Sequence, residues 1–338
     1  MEEINLALVT CKELEKTITQ SLILAGASES DAQIAATAIA YAESSGLKSH
    51  GLVRLDPLIS QLKSGKVNKK PNRTKKLVSD SLTLVDGDHG IGLPAAQMAT
   101  DSVIEMLDSS PVAVASVSNS HHLGVAGFYA EQLAEKGYVG FVTSNTFGAI
   151  APVGGKTPIL GNPPLALAVP RANADPVVID MAPAVVARGN IAAAAKNGEK
   201  IPTNWAFDEN GEPTDDPNAA MRGTISAIGG RKGVLLSMLI DLLLLTLTNA
   251  HLPSETSSVF TADGPPPSLG HIIIGFDPNS FEVPNATDRT EQYIASILSD
   301  TNQMHAPGEQ RRAKRADSLV NGLMVSEEVW ESIVGIEN

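Results

Sequence analysis

Cysteine is nearly absent from this chain: Cys11 is the only one in 338 residues. A lone thiol builds neither a disulfide framework nor a cysteine-based zinc site, and it suits a reducing compartment. Basic charge is scarce too. Lys and Arg number 25 against 38 Asp and Glu, a formal charge of −13. That balance argues against a nucleic-acid or anionic-membrane surface while leaving room for a local basic pocket. No apolar run reaches the roughly 20 residues of a membrane span. The longest, residues 234–247, contains Asp241 and reads as a buried helix. The start, Met1-Glu2-Glu3, is acidic and lacks a secretory pattern. Also missing are the Gly-x-Gly-x-x-Gly dinucleotide fingerprint, the P-loop and the Gly-x-Ser-x-Gly elbow. These absences predict a cytoplasmic globular protein with no nucleic-acid, membrane or metal partner.

What is present is an alternation of elements. The length suits two domains, one of which can be inserted in the other. Residues 1 to about 78 read as mostly helical. Ser30-Asp31 is placed to cap an amphipathic helix carrying Ile34, Ala35, Ala38, Ile39 and Ala42, closed by Ser45-Gly46. The basic stretch 66–76 reads as a solvated connector. Strands are expected at 81–85, 112–117, 138–143, 165–169, 177–181 and 271–277. Helices fit 94–107, 125–136, 184–195 and 232–248, with three more over 288–300, 307–318 and 326–334. Segments 196–221 and 253–269 read as long loops. The class is α/β or α+β.

The most chemical stretch is Ser49-His50-Gly51-Leu52-Val53-Arg54. A new apolar period begins at Leu52, so Ser49 is a natural N-cap, with His50 in the first turn and Arg54 four residues on. An imidazole and a guanidinium on one face, beside free helix amides, suit a small carboxylate: Arg54 to grip it, His50 to move a proton. A surface cap with a solvated arginine explains the same spacing. Ser49 and His50 do not read as a hydrolytic pair, because adjacent residues rarely aim at each other. His89 reads as a loop residue with a structural hydrogen bond. Of the adjacent His121 and His122, one suits a ligand contact, a plain surface position fits equally well, and the pair lacks zinc-site geometry. Pro307 opens a helix whose amides and arginines fit either a phosphate or surface ion pairs.

Several segments, in order, resemble the malate/L-lactate dehydrogenase family of the non-Rossmann type. They are Ser49 to Arg54, Asp86-Gly87-Asp88-His89-Gly90-Ile91-Gly92, Asn119-Ser120-His121-His122-Leu123-Gly124-Val125-Ala126-Gly127 and Asn145-Thr146. Ile179-Asp180-Met181-Ala182, Ala187-Arg188-Gly189, Gly229-Gly230-Arg231-Lys232-Gly233 and Pro307-Gly308-Glu309 complete the set. Relatives of that family include ureidoglycolate and sulfolactate dehydrogenases and the Δ1-piperideine-2-carboxylate/Δ1-pyrroline-2-carboxylate reductases. The resemblance implies a non-Rossmann NAD(P)-binding mixed sheet at 79–279, between helical segments 1–78 and 280–338 that pack together. It implies a homodimeric NAD(P)H-dependent oxidoreductase acting on a 2-oxo acid or a cyclic 2-imino acid, with NADPH preferred to NADH. His50 would donate the proton with Ser49 in support, and Asn190 stands at the relay position. Arg54, Asn162, Arg188 and Gly189 would hold the substrate. His122, Leu123, Gly124, Val125, Ala126, Thr146, Asp180, Met181, Ala182, Arg231, Lys232, His305, Pro307, Gly308, Glu309 and Arg311 would line the cofactor. His122 is a rival for the acid/base role; His50 is preferred because Arg54 lies one turn away.

The chain departs from the family pattern at four places. Gly161-Asn162-Pro163-Pro164 stands where Gly-Thr-Asn-Pro is usual, and Pro163 removes an amide donor. Ala184 replaces a Ser, Ala227 a Pro, and Asn190 a charged relay residue. Asn162 and Asn190 make a less acidic pocket, which favours a cyclic ketimine over a malate- or lactate-type hydroxy acid. The uncharged Asn190 also raises a third reading, a non-catalytic binder of nucleotide or carboxylate.

Overall fold

The computed structural model describes residues 5–301 and 304–335. Met1-Glu2-Glu3 lies outside them. The chain starts with strand β1 (Leu6–Val9) and helices α1 (Cys11–Leu24), α2 (Glu29–Ser44) and α3 (Leu55–Ser64). Thr10 and Glu13 form a reciprocal capping box that starts α1. The apolar faces of α1, α2 and α3 meet in a core that includes Leu14, Ile18, Ile39, Leu58 and Leu62. Leu323, Val325 and Ile333 from the far end of the chain complete it. There β11 (Leu323–Ser326) pairs antiparallel with β1, and α11 (Glu327–Val334) follows.

The middle of the chain forms a mixed sheet of seven strands. These are β2 (Thr74–Ser79), β3 (Leu82–Asp86), β4 (Val112–Ser120), β5 (Val139–Ser144), β6 (Leu165–Val169), β7 (Val177–Met181) and β10 (Leu269–Phe276). Their order is β2-β3-β4-β10-β5-β6-β7. β3 and β4 run parallel, and β10 is antiparallel to both β4 and β5. The last of these seven strands in sequence therefore fills the centre of the sheet. The short β8 (Ala206–Phe207) and β9 (Thr224–Ile225) pair apart from it. Helices α4 (Gly92–Leu107) and α5 (Ala126–Glu135) cover one face, where Val103, Tyr129 and Leu133 meet Ala113, Ala115, Val142 and Ala166. Alanine on the strands lets the helices seat close. On the other face α8 (Arg231–Leu247) buries Ile240 and Leu244 against Ile272. The remaining helices are α6 (Arg188–Asn197), α7 (Pro217–Arg222), α9 (Ala286–Ser299) and α10 (Glu309–Asn321).

Several expectations are corrected. Ser28, not Ser30, caps α2, its hydroxyl accepting from the Asp31 amide. The first 78 residues are mostly helical as expected, the exceptions being β1 and the start of β2, which pairs with β3. Lys66 is buried rather than solvated, and β2 begins within the supposed connector. α6 starts at Arg188, since Ala184 is held in a bridge to Ala227. Segment 196–221 contains β8 and α7 rather than unbroken loop. α10 begins at Glu309, after Gly308 turns the chain at φ 93°. The helix read as buried is two-faced: Leu235, Met238, Leu239 and Leu242 of α8 are exposed. Among the described residues, no helix is long and apolar enough to cross a membrane, and no cluster of three or more His, Cys, Asp or Glu could hold a metal.

Candidate active site

Residues 48–54 do not form the start of a regular helix. Lys48–His50 and Leu52–Arg54 are two successive 3-10 turns, and α3 follows with Arg54 at its N-cap position. The break falls at Gly51 (φ −88°, ψ −136°). A Cβ there would lie 2.0 Å from the buried Glu43 carboxylate, which accepts the Leu52 amide at 2.9 Å. Ser49 is thus not an α-helical cap. Its hydroxyl instead lies 3.0 Å from His50 Nδ1, so the two adjacent side chains do meet. Arg54 Nε donates to the Ser49 carbonyl at 2.7 Å, tying the guanidinium to the same turn.

Ser49, His50 and Arg54 open onto a cavity of about 430 Å³. Burial lowers the His50 pKa to about 4, with the positive charges of Arg54 and Arg311 acting in the same direction. The imidazole is therefore neutral at pH 7. Burial also lowers Arg54 to about 10, which leaves it charged. His122 lines the same cavity, and its pKa falls well below the usual range through burial, then through His121, Arg54 and His50. His121 turns away: its Nε2 meets Gln61 Oε1 at 2.6 Å, while Gln61 Nε2 donates to the Val259 carbonyl. Gln61 thereby fixes its own amide orientation and makes His121 Nε2 a donor. His271 lies buried between Ser144 and Ser120, and His89 meets Ser268 in the structural contact expected of it.

The far wall is built from sheet and helix ends. Val125 precedes α5 and offers no side-chain cap, and the α5 Gly127 amide donates to Asp180 Oδ2 at 3.0 Å from the end of β7. Arg311 of α10 reaches the same carboxylate at 3.5 Å and the Asp180 carbonyl at 3.2 Å. Burial still raises the Asp180 pKa despite that cation. On another side, Thr146 Oγ1 accepts the Asn162 amide at 2.7 Å, and Asn162 Oδ1 accepts the Ala184 amide at 2.9 Å. Two residues of α8 hold this loop from behind. Asp241 Oδ2 accepts the Gly161 amide at 2.9 Å, and Ser237 donates to the Gly161 carbonyl at 2.7 Å.

A family model described as malate/L-lactate dehydrogenase matches residues 9–334. The chain belongs to the malate/L-lactate dehydrogenase family. It is 36% identical to the (2R)-3-sulfolactate dehydrogenase (NADP(+)) of Chromohalobacter salexigens, over 92% of each chain. It is 31% identical to the Δ1-pyrroline-2-carboxylate reductase 1 of Burkholderia ambifaria, over 91% of each. The crystal structure of Δ1-piperideine-2-carboxylate reductase from Pseudomonas syringae superposes with a TM-score of 0.91 at 28% identity, over 98% of this chain and 99% of that one. The resemblance read from the ordered motifs is thus confirmed. As a member of the malate/L-lactate dehydrogenase family, the protein is an NAD(P)-dependent oxidoreductase acting on a small carboxylate.

Most residues implied by the malate/L-lactate dehydrogenase motifs converge on the cavity. Ser49, His50, Arg54, His122 to Ala126, Thr146, Asn162, Asp180 to Ala182, Arg188, Gly189 and Arg311 all line it. Others do not. Asn190 is exposed in the first turn of α6, which directs it away from the lining. Arg231 lines a separate hollow of about 920 Å³ with Lys156, and Lys232 is exposed at the start of α8. His305 and Glu309 face each other at 3.9 Å on the surface. Pro307 gives its carbonyl to the Val178 amide, and Gly308 supplies the turn that sends Arg311 inward. These last two position the wall rather than line it. The reading of the motifs missed Val259 and Phe260, which reach the cavity from the segment written off as loop. Their signal was an apolar pair inside a Ser/Pro-rich stretch.

Proposed function

We propose that the protein reduces a small 2-imino or 2-oxo carboxylate with NADPH or NADH, His50 giving the proton and Arg54 holding the carboxylate. The observation that carries this reading is the convergence of a charged Arg54 and a Ser49-tethered neutral His50 on one cavity. The residues present fit a nicotinamide nucleotide: the Arg311 cation suits its anionic parts, and Leu47 and Val185 suit its ring. Leu123 to Ala126, Thr146, Asp180 to Ala182 and Arg311 would hold it. Reduced nicotinamide, when bound, supplies two electrons and one hydrogen to the carbon beside the substrate carboxylate.

The chain's own part is charge and proton placement. Arg54 takes the carboxylate in its guanidinium fork, which sets the reacting carbon beside His50. Burial is the main cause that keeps His50 neutral, with the Arg54 and Arg311 fields beside it; the arriving negative charge offsets those fields and favours the protonated ring. Protonated His50 gives that proton to the imine nitrogen or carbonyl oxygen, and Ser49 keeps the ring oriented through Nδ1.

A cyclic ketimine such as Δ1-piperideine-2-carboxylate or Δ1-pyrroline-2-carboxylate is favoured by the apolar wall of Val53, Val259 and Phe260 beside Arg54. A 2-oxo acid bearing a second anionic group is the alternative. It is supported by Arg188, a second guanidinium on the cavity that pairs only with the Met221 carbonyl among the described contacts. We also propose a homodimer. Loss of reduced-nicotinamide absorbance tests the activity, with NADH and NADPH tried separately against the two imines, pyruvate and oxaloacetate. Turnover of the imines supports the favoured reading, turnover of keto acids alone supports the other, and no turnover with any of them counts against both.

A further inference from the structure

Arg54 is not left to position itself. The Phe260 ring covers its guanidinium at 4.3 Å, and Phe147 meets Phe260 edge-on at 5.9 Å. Arg54 Nε is already bonded to Ser49, so a ligand carboxylate is left the outer edge of the guanidinium. Phe260 belongs to a segment with no regular secondary structure between α8 and β10, and so needs external support.

That support comes from α3 and the residues just past it. Lys66, 4% exposed, aims its ammonium at three carbonyls of the segment: Ser258 at 2.6 Å, Thr261 at 3.0 Å and Asp263 at 2.6 Å. An ammonium has three donors, and all three are used. Ser64 donates to the Ala262 carbonyl at 3.1 Å, and Gln61 to that of Val259. The carbonyls of 258, 261 and 263 are thus gathered around one buried cation, those of 259 and 262 are held by Gln61 and Ser64, and Phe260 sits within the arc. Since α3 begins directly after Arg54, one helix fixes both the guanidinium and the ring that covers it.

We propose that Phe260 is a specificity-determining residue for the substrate and that Lys66 is the positioning residue that holds it in place. The ring supplies an apolar surface next to the carboxylate grip, so a flat or alkyl group bonded to the carboxylate carbon is accepted there. A carboxylate lacking such a group gains nothing from it. This rests on the reading of Arg54 as the carboxylate site.

The test uses full-length protein saturated with NADP+ and two probes, pyrrole-2-carboxylate and oxalate, with dissociation constants measured by calorimetry. Phe260→Ala is expected to weaken pyrrole-2-carboxylate about tenfold and oxalate less than threefold. Lys66→Met should show the same split, and the double variant should be no weaker than Phe260→Ala alone. Melting temperatures accompany each variant; should Lys66→Met fail to fold, Phe260→Leu, at an exposed position, carries the comparison. Equal losses on both probes, additive losses in the double variant, or no loss at all would overturn the proposal. Arg54→Lys separates the two levels. If it weakens neither probe, or the wild type binds neither, the carboxylate reading itself has failed; if it weakens both while Phe260→Ala weakens neither, only the present inference has.

Discussion

Ser49 Oγ and His50 Nδ1, on adjacent residues, lie 3.0 Å apart across a 3-10 turn. The hydrogen bond leaves Nε2 as the ring atom free for chemistry and restricts rotation of the imidazole. His50→Ala should lower kcat by a factor of about 10² to 10⁴ while cofactor affinity changes less than twofold. Ser49→Ala, which removes only the tether, should cost about fivefold in kcat. Steady-state kinetics with direct titration of the nicotinamide nucleotide checks both.

Arg54→Lys keeps the charge but loses the fork and the contact with Phe260. The KM for the carboxylate substrate should rise about ten- to a hundredfold, with kcat changed far less. An unchanged KM would remove Arg54 from the substrate site.

The pH dependence follows from the depressed His50. In the free enzyme its pKa is about 4, so kcat/KM for reduction should fall about tenfold per pH unit above that value. With substrate bound, the carboxylate offsets Arg54, and the fall in kcat should begin at higher pH. Oxidation needs the neutral ring and should be flat in kcat/KM above about pH 5. Profiles in both directions decide it.

His121 and His271 are 2% and 0% exposed, and burial lowers their pKa values to about 3 and about 4. The unfolded chain binds protons at these residues more tightly than the folded one. Their contribution is therefore complete above about pH 6.5 and is lost as pH falls toward 4, by up to about 1.4 kcal/mol per pH unit each. Asp241 has the opposite sign. Burial raises its carboxyl to about 6, so it favours the fold below the ordinary carboxylate range and loses that contribution as pH rises through about 6. Thermal melts from pH 4 to 8 should rise to a plateau near neutrality, and Asp241→Asn should melt higher than wild type at pH 8.

Leu235, Leu239 and Leu242 are 51%, 61% and 53% exposed on one face of α8. In the proposed homodimer a second copy covers them. Light scattering should give about twice the 35.3 kDa chain mass for the wild type. Leu239→Glu should bring it to the monomer, and a dimeric Leu239→Glu would place the contact elsewhere.

The sequence by itself determined the elements whose cause is local. The apolar runs at 165–169 and 177–181 match β6 and β7 residue for residue, and α4, α5 and α8 fall within two residues of their expected starts. It also carried the ordered motifs that gave the family and sixteen of the cavity-lining residues. Tertiary structure alone decided what depends on distant partners. Glu43 against Gly51 converts an expected helix start into two 3-10 turns and brings Ser49 onto His50. β10, late in the chain, takes the centre of the sheet because its pairing partners β4 and β5 lie about 130 to 160 residues earlier. Lys66 reads as one more charge in a basic run until the carbonyls of Ser258, Thr261 and Asp263 surround it. Capping and periodicity act over one or two turns and are written into neighbouring residues. A buried cation or a covered guanidinium is stabilised by groups that only the folded chain assembles.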